Sequence, residues 1–204
     1  MKHRHLVAHL IIVARTLLAF VAVAMLRWHT WESYVAAALL TLLLIWMDAW
    51  DGWAARRLGT VSKAGALFDI LGDRVVEMTY WIAFASFGWI PVWVAVLVSA
   101  RGILVDGFRA LALERGLTAF GMMKSRLGAL LVSSRLSRAA YGIGKAGAFT
   151  LVILAFAPGW HPSLATTLGW LAYACVYTTV ALCVVRGLPV LVEARRFLTP
   201  ERAG

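Results

Sequence analysis

The chain has 204 residues, of which 62% are hydrophobic and 15% charged, whereas roughly half of a soluble domain is apolar; this composition excludes an ordinary soluble globular enzyme. The formal net charge of +10 raises nucleic acid as a partner. Basic residues that flank apolar helices meet anionic lipid headgroups or an anionic substrate instead, so no nucleic acid is expected. We read the chain as an all-α integral membrane protein with a single domain over residues 1–204.

A hydrocarbon core of about 30 Å takes roughly 20 helical residues to cross. Six apolar stretches of that kind fall near 6–27, 33–54, 66–89, 91–113, 139–158 and 164–190, and each is predicted to be a transmembrane helix. The first follows Lys2 and Arg4 and could be taken for a signal peptide, with Ala22-Val23-Ala24 as its cleavage site. Arg15 interrupts that apolar run, which favours an uncleaved helix. The connections near 28–32, 89–91 and 159–163 contain no Lys or Arg, while basic residues gather at the start, in 55–64, in 109–145 and in the tail. The positive-inside rule then places both termini in the cytoplasm. Trp28, Trp31, Trp89 and Trp160 lie in or beside the outer connections and are expected to anchor the membrane surface.

The end of the second span and the start of the third carry the chemistry. Asp48, Asp51, Gly52, Ala55, Arg56, Gly65, Asp69 and Asp73 form the pattern D-x2-D-G-x2-A-R-x8-G-x3-D-x3-D, which holds four of the ten acidic residues. Residues three or four apart share a helix face, so Asp48 pairs with Asp51 and Asp69 with Asp73. A short 55–64 connection makes the two helices antiparallel and lets all four carboxylates converge at the cytoplasmic end. Four ionised groups near lipid repel one another strongly, and hard divalent cations with oxygen ligands would offset that repulsion. No His, Cys or Met joins the spacing, which argues against zinc and copper. Gly52 and Gly65 leave room for close approach of a ligand to the backbone, and Arg56 offers a fork of donors suited to phosphate. The expected chemistry is metal-assisted attack on a diphosphate. A proton relay, or a structural ion pair with Arg56, Arg57 or Arg74, is the alternative for such carboxylates.

All eight residues match, at every spacing, the signature of the CDP-alcohol phosphatidyltransferases, and the chain resembles that family over most of its length. The resemblance implies that Asp48, Asp51, Asp69 and Asp73 hold the metal, two Mg²⁺ or Mn²⁺ ions, with Asp73 also the catalytic base. It implies that Gly52, Ala55, Arg56 and Gly65 line the CDP pocket of CDP-diacylglycerol. A homodimer in the plasma (inner) membrane, with its active site facing the cytoplasm and membrane lipids around it, is also implied.

In the fourth span, ARGILVDGFRALALERG is similar to a stretch of the phosphatidylglycerophosphate synthases that meets glycerol 3-phosphate. Arg101 and Arg109 lie about 80° apart around a helix of 3.6 residues per turn, and they are expected to bind the acceptor unless they are simply paired with Asp106. The polar stretch 114–138 reads as an interfacial amphipathic helix or a solvated loop. In the fifth span, Lys145 within Gly142-Ile143-Gly144-Lys145 resembles a Gly-Lys element of those synthases and is a third acceptor ligand. Their usual Lys-Thr continuation is replaced here by Ala146-Gly147-Ala148-Phe149, and of their N-x2-T-x2-R pattern near the start only Arg15 is present. Cys175 and Cys183 in the last span have no metal-binding spacing and read as packing residues.

The expected reaction joins a phosphorylated small alcohol, sn-glycerol 3-phosphate first and inositol phosphate or another alcohol as the alternative, to the phosphatidyl group, releasing CMP. Two other classes fit the motif less well. Intramembrane prenyltransferases usually separate their two Asp motifs widely, and a cation transporter would not require Gly52, Ala55 and Arg56 at these offsets.

Overall fold

The computed structural model describes the backbone of residues 2–58, 63–114, 125, 128–198. It describes side chains at 10–47, 68–112, 114, 125, 128, 130–132, 134 and 136–194. Six long helices follow one another: α1 (Lys2–Met25), α2 (Trp31–Leu58), α3 (Lys63–Ser86), α4 (Val92–Glu114), α5 (Arg135–Ala155) and α6 (Pro162–Leu198). There is no strand among the described residues. Each of the six apolar stretches overlaps one of these helices.

Local chemistry sets their ends. Between α1 and α2 a 3-10 turn (Leu26–Trp28) leads into His29, at φ 51°. Thr30 and Ser33 then cap α2 reciprocally, each hydroxyl accepting the other's backbone N–H at 3.2–3.3 Å. Gly88, at φ 72°, turns the chain between α3 and α4. Ser134 is extended and caps α5, its hydroxyl accepting from Ser137 N at 3.1 Å. Pro162 occupies the first position of α6, where its missing N–H has no helical partner to lose.

The expected amphipathic helix at 114–138 falls partly on 115–124, outside the described residues. Its described remainder is not one continuous helix: a π-helical turn (Ala129–Ser133) and extended Ser134 precede α5. Glu193 of α6 holds this segment by accepting Ser125 N–H at 3.0 Å.

The helices close into a ring in which α1 packs on α2, α2 on α5, α5 on α6, α6 on α4, α4 on α3, and α3 back on α1. On α1 and the turn after it, the buried positions Ile12, Arg15, Ala19, Ala22 and Leu26 alternate in steps of three and four, one face of a helix. Its other face exposes Leu10, Val13, Leu17, Phe20 and Val21. A soluble protein rarely exposes so continuous an apolar face. Apolar side chains point outward, while Arg15, Glu77, Arg101, Arg186 and Glu193 are buried, as expected where the surroundings are lipid.

By length and composition, two helical stretches among the described residues suffice to cross a membrane. They are Leu10–Trp28, with mean hydropathy 2.2, and Pro162–Ala194, with 1.9. Trp31–Met47 is apolar but shorter, and α3 and α4 carry charged residues within the lengths predicted to span.

Core packing is dense at the end remote from the acidic motif. Phe149 of α5 stacks on Tyr80 at 4.8 Å and meets Trp81 edge-on at 5.0 Å, joining α3 to α5 across the ring. The tryptophan anchors divide. Trp28 is 68% exposed, whereas Trp89 is 8% exposed and stacks on Phe156 at 4.9 Å, so its ring serves the core. Trp160 donates its indole N–H to the carbonyl of Leu154 at 2.8 Å. Cys183 is buried and Cys175 half-buried, and both are free thiols.

Candidate active site

The acidic motif lies where α2 ends and α3 begins. Asp48, Asp51, Gly52, Ala55 and Arg56 belong to the backbone of α2, and Gly65, Asp69 and Asp73 to α3. Side chains from 48 to 67 are outside the described residues, and with them the metal expectation at Asp48 and Asp51 and the CDP expectation at Gly52, Ala55, Arg56 and Gly65. Among the described residues no group of three or more His, Cys, Asp or Glu converges.

Asp69 and Asp73 are described, and they behave as a pair. They stand one turn apart on α3 with side chains 48% and 41% exposed, and both accept contacts from Arg15, which is 2% exposed on α1. Arg15 Nη2 bonds Asp73 Oδ1 directly and lies 3.6 Å from Asp69 Oδ1. A buried guanidinium thus aims both carboxylates to one side of α3. Of the sequence alternatives for these acids, Arg74 is not their described partner. Two half-exposed carboxylates offer the hard oxygen donors that a divalent cation takes, while Arg15 offsets part of their charge.

Asp73 also lines a small cleft of about 100 Å³ between α1, α2, α3 and α5. Arg15, Thr41, Glu77, Tyr80 and Lys145 line it too. Thr41 and Tyr80 share a buried hydroxyl contact of 2.8 Å at its deep end.

Beyond Glu77, toward α4 and α6, lies a second polar region. Arg74 Nε and Nη2 both reach Asp106 Oδ2 at 2.8 Å, and Arg74 Nη1 reaches Glu77 Oε2 at 2.5 Å. Arg109 meets Asp106 Oδ1 at 3.5 Å, and Lys145 Nζ lies 3.7 Å from Glu77 Oε2. The Asp106 alternative therefore holds for Arg109 and fails for Arg101. Arg101 is 9% exposed with no carboxylate in salt-bridge range among the described residues, and its Nε has no hydrogen-bond partner. Its guanidinium stem lies on bare backbone of α6, where a side chain at Gly187 would come within 2.7 Å of Nε. Gly102 gives Arg74 the same room, with a Cβ there only 2.7 Å from Nη1.

Arg186 of α6 completes the cluster, and sequence reasoning missed it. It is 7% exposed and donates to the carbonyl of Ser137 at 2.6 Å. Its signal was a single cation inside an otherwise apolar span. Glu77 was missed as well, although it continues the four-residue spacing of Asp69 and Asp73. Five cations (Arg74, Arg101, Arg109, Lys145, Arg186) face two carboxylates (Glu77, Asp106), so three positive charges are in excess among these residues. Such an excess inside a helical ring suits an anion.

Residues 5–185 match the model of the CDP-alcohol phosphatidyltransferase family. The chain belongs to this family. CDP-alcohol phosphatidyltransferases are membrane-associated, in keeping with the outward apolar faces described above.

Several relatives share part of the sequence. A Bacillus subtilis (strain 168) protein named CDP-diacylglycerol--glycerol-3-phosphate 3-phosphatidyltransferase is 29% identical over 77 residues, 38% of this chain and 40% of the relative. A Treponema pallidum (strain Nichols) protein of the same name is 30% identical over 120 residues, 56% of this chain and 55% of the relative. A Schizosaccharomyces pombe (strain 972) protein named CDP-diacylglycerol--inositol 3-phosphatidyltransferase is 35% identical over 68 residues, 33% of this chain and 27% of the relative. The chain therefore spans 27% to 55% of the length of these relatives.

Proposed function

We propose that this chain is a single-domain enzyme that transfers the phosphatidyl group of CDP-diacylglycerol to sn-glycerol 3-phosphate and releases CMP, a step of phospholipid biosynthesis. The observation that carries the acceptor is the surplus of buried cations, above all Arg101 and Arg186, on the far side of Glu77 from Asp73. Family membership and the two glycerol-3-phosphate relatives support the donor and the reaction type.

In this reading Asp48, Asp51, Asp69 and Asp73 hold two Mg²⁺ or Mn²⁺ ions, which supply charge neutralisation at the diphosphate and leaving group. Gly52, Ala55, Arg56 and Gly65 form the CDP pocket. Arg101, Arg109 and Arg186, with Lys145 at the edge, hold the acceptor's phosphate and turn its hydroxyl toward Asp73. The hydroxyl oxygen bonds to the phosphatidyl phosphorus, the phosphoanhydride bond to CMP breaks, and Asp73 takes the hydroxyl proton. All six helices span the plasma (inner) membrane, both termini and the site face the cytoplasm, and two copies form a homodimer. The inward charges of α3 and α4 support spanning despite their lower hydropathy, because a polar residue turned into a bundle is sheltered from lipid.

The test is CMP release by purified protein from CDP-diacylglycerol and glycerol 3-phosphate. EDTA is expected to abolish release and Mg²⁺ or Mn²⁺ to restore it; release that persists after chelation would remove the metal from the scheme. Inositol phosphate is the second acceptor in this reading, because the S. pombe relative is named for inositol transfer and a phosphorylated inositol would meet the same cations.

A further inference from the structure

Three cations from three helices face one aromatic ring. Lys145 Nζ of α5 lies 5.1 Å from the centroid of Tyr141, Arg186 Cζ of α6 5.2 Å, and Arg101 Cζ of α4 5.9 Å. Like charges so placed repel, and of the three only Lys145 has a carboxylate in salt-bridge range among the described residues, Glu77.

A carboxylate at the place of the ring would draw the cations together, but it would also neutralise them and occupy the position a substrate phosphate needs. A ring draws them through its quadrupole and carries no charge. The hydroxyl of the ring also donates to Glu77 Oε1 at 2.6 Å. Glu77 is anchored by Arg74, and Arg74 by Asp106. Tyr141 therefore stands between the carboxylates of α3 and the arginines of α4 and α6.

We propose that Tyr141 is a positioning residue that gathers Arg101 and Arg186 without neutralising them, and thereby sets a preference for phosphorylated over uncharged alcohol acceptors. The inference rests on the acceptor reading given above. The ring needs no contact with the substrate for this; it acts through the two guanidinium groups.

The experiment compares Tyr141→Phe, which keeps the ring, with Tyr141→Met and Tyr141→Leu, which remove it. Either ring-free variant is expected to raise the KM for glycerol 3-phosphate at least about tenfold, the size of a desolvated cation–π contact. The KM for CDP-diacylglycerol and kcat should stay within about threefold, and Tyr141→Phe should stay within about threefold in all three constants. An unchanged acceptor KM in the ring-free variants, an equal rise in both KM values, or a Phe variant as impaired as Met would overturn the proposal.

A second measurement needs no turnover: the thermal midpoint of detergent-purified protein with and without glycerol 3-phosphate, and with and without CDP. Wild type and Tyr141→Phe should be stabilised by both ligands; the ring-free variants should keep the CDP response and need about tenfold or more glycerol 3-phosphate for the same shift. A ring-free variant with the wild-type concentration dependence on glycerol 3-phosphate, or loss of its CDP response, sinks the role of Tyr141. Absence of any shift in wild type with a phosphorylated alcohol sinks the acceptor reading itself.

Discussion

Asp73→Asn is expected to lower CMP release by about 100- to 10,000-fold, the range over which a positioned acid or base contributes. Asp73 lines the cleft between α1, α2, α3 and α5 and is bonded directly to Arg15. Asparagine keeps the shape of the side chain and an oxygen that can still accept from Arg15. The α1–α3 contact therefore survives, and the loss reports basicity and charge, not packing. The check is CMP release per mole of purified variant, alongside a thermal midpoint close to that of wild type. Release at the wild-type rate would exclude Asp73 as the base.

Arg101→Met and Glu77→Ala are expected to move stability in different directions, which separates a charge kept for a ligand from a charge kept for the fold. Arg101 has no described carboxylate partner, so replacing it orphans no acid and removes the desolvation cost of a buried guanidinium. Its variant should melt at or above the wild-type temperature while the acceptor KM rises about 10- to 100-fold, as loss of a charge-assisted contact implies. Glu77 answers Arg74, Lys145 and Tyr141 at once. Removing it takes from Lys145 its described carboxylate, leaves Arg74 with Asp106 alone, and should destabilise by about 3–5 kcal/mol. Unfolding of both variants in the same detergent checks this. An Arg101→Met protein that is several kcal/mol less stable would make Arg101 structural, and a Glu77→Ala protein as stable as wild type would remove Glu77 from the scaffold.

Much of this arrangement was legible in the sequence because it is local. Helix positions follow from runs of apolar residues, and the pairing of Asp69 with Asp73 follows from one helical turn. Arg101 stood out as a cation within an apolar span. What was not legible depends on how helices face one another. Arg74 meets Asp106 across 32 positions, Tyr141 meets Glu77 across 64, and Arg186 approaches Arg101 from the last helix. Periodicity gives each residue a face on its own helix and says nothing of which helix lies opposite. Trp89 misled for a similar reason, since its place in a connection suggested an interface and the aromatic cluster of Phe84, Phe87 and Phe156 drew it inward. Arg109, expected to bind the acceptor, lies against Asp106, whereas Arg101 and Arg186 have no carboxylate in salt-bridge range among the described residues and are the stronger candidates for an anion.

The most direct measurement supplies CDP-diacylglycerol and Mg²⁺ to the purified protein with glycerol 3-phosphate, inositol phosphate, inositol and serine in parallel, and identifies each lipid product by mass. The expected result is CMP release matched by phosphatidylglycerophosphate, with lesser transfer to inositol phosphate and little to the two acceptors that lack a phosphate. Preferred transfer to inositol or serine would contradict a cationic acceptor pocket, and absence of any phosphatidyl product would contradict the proposed reaction.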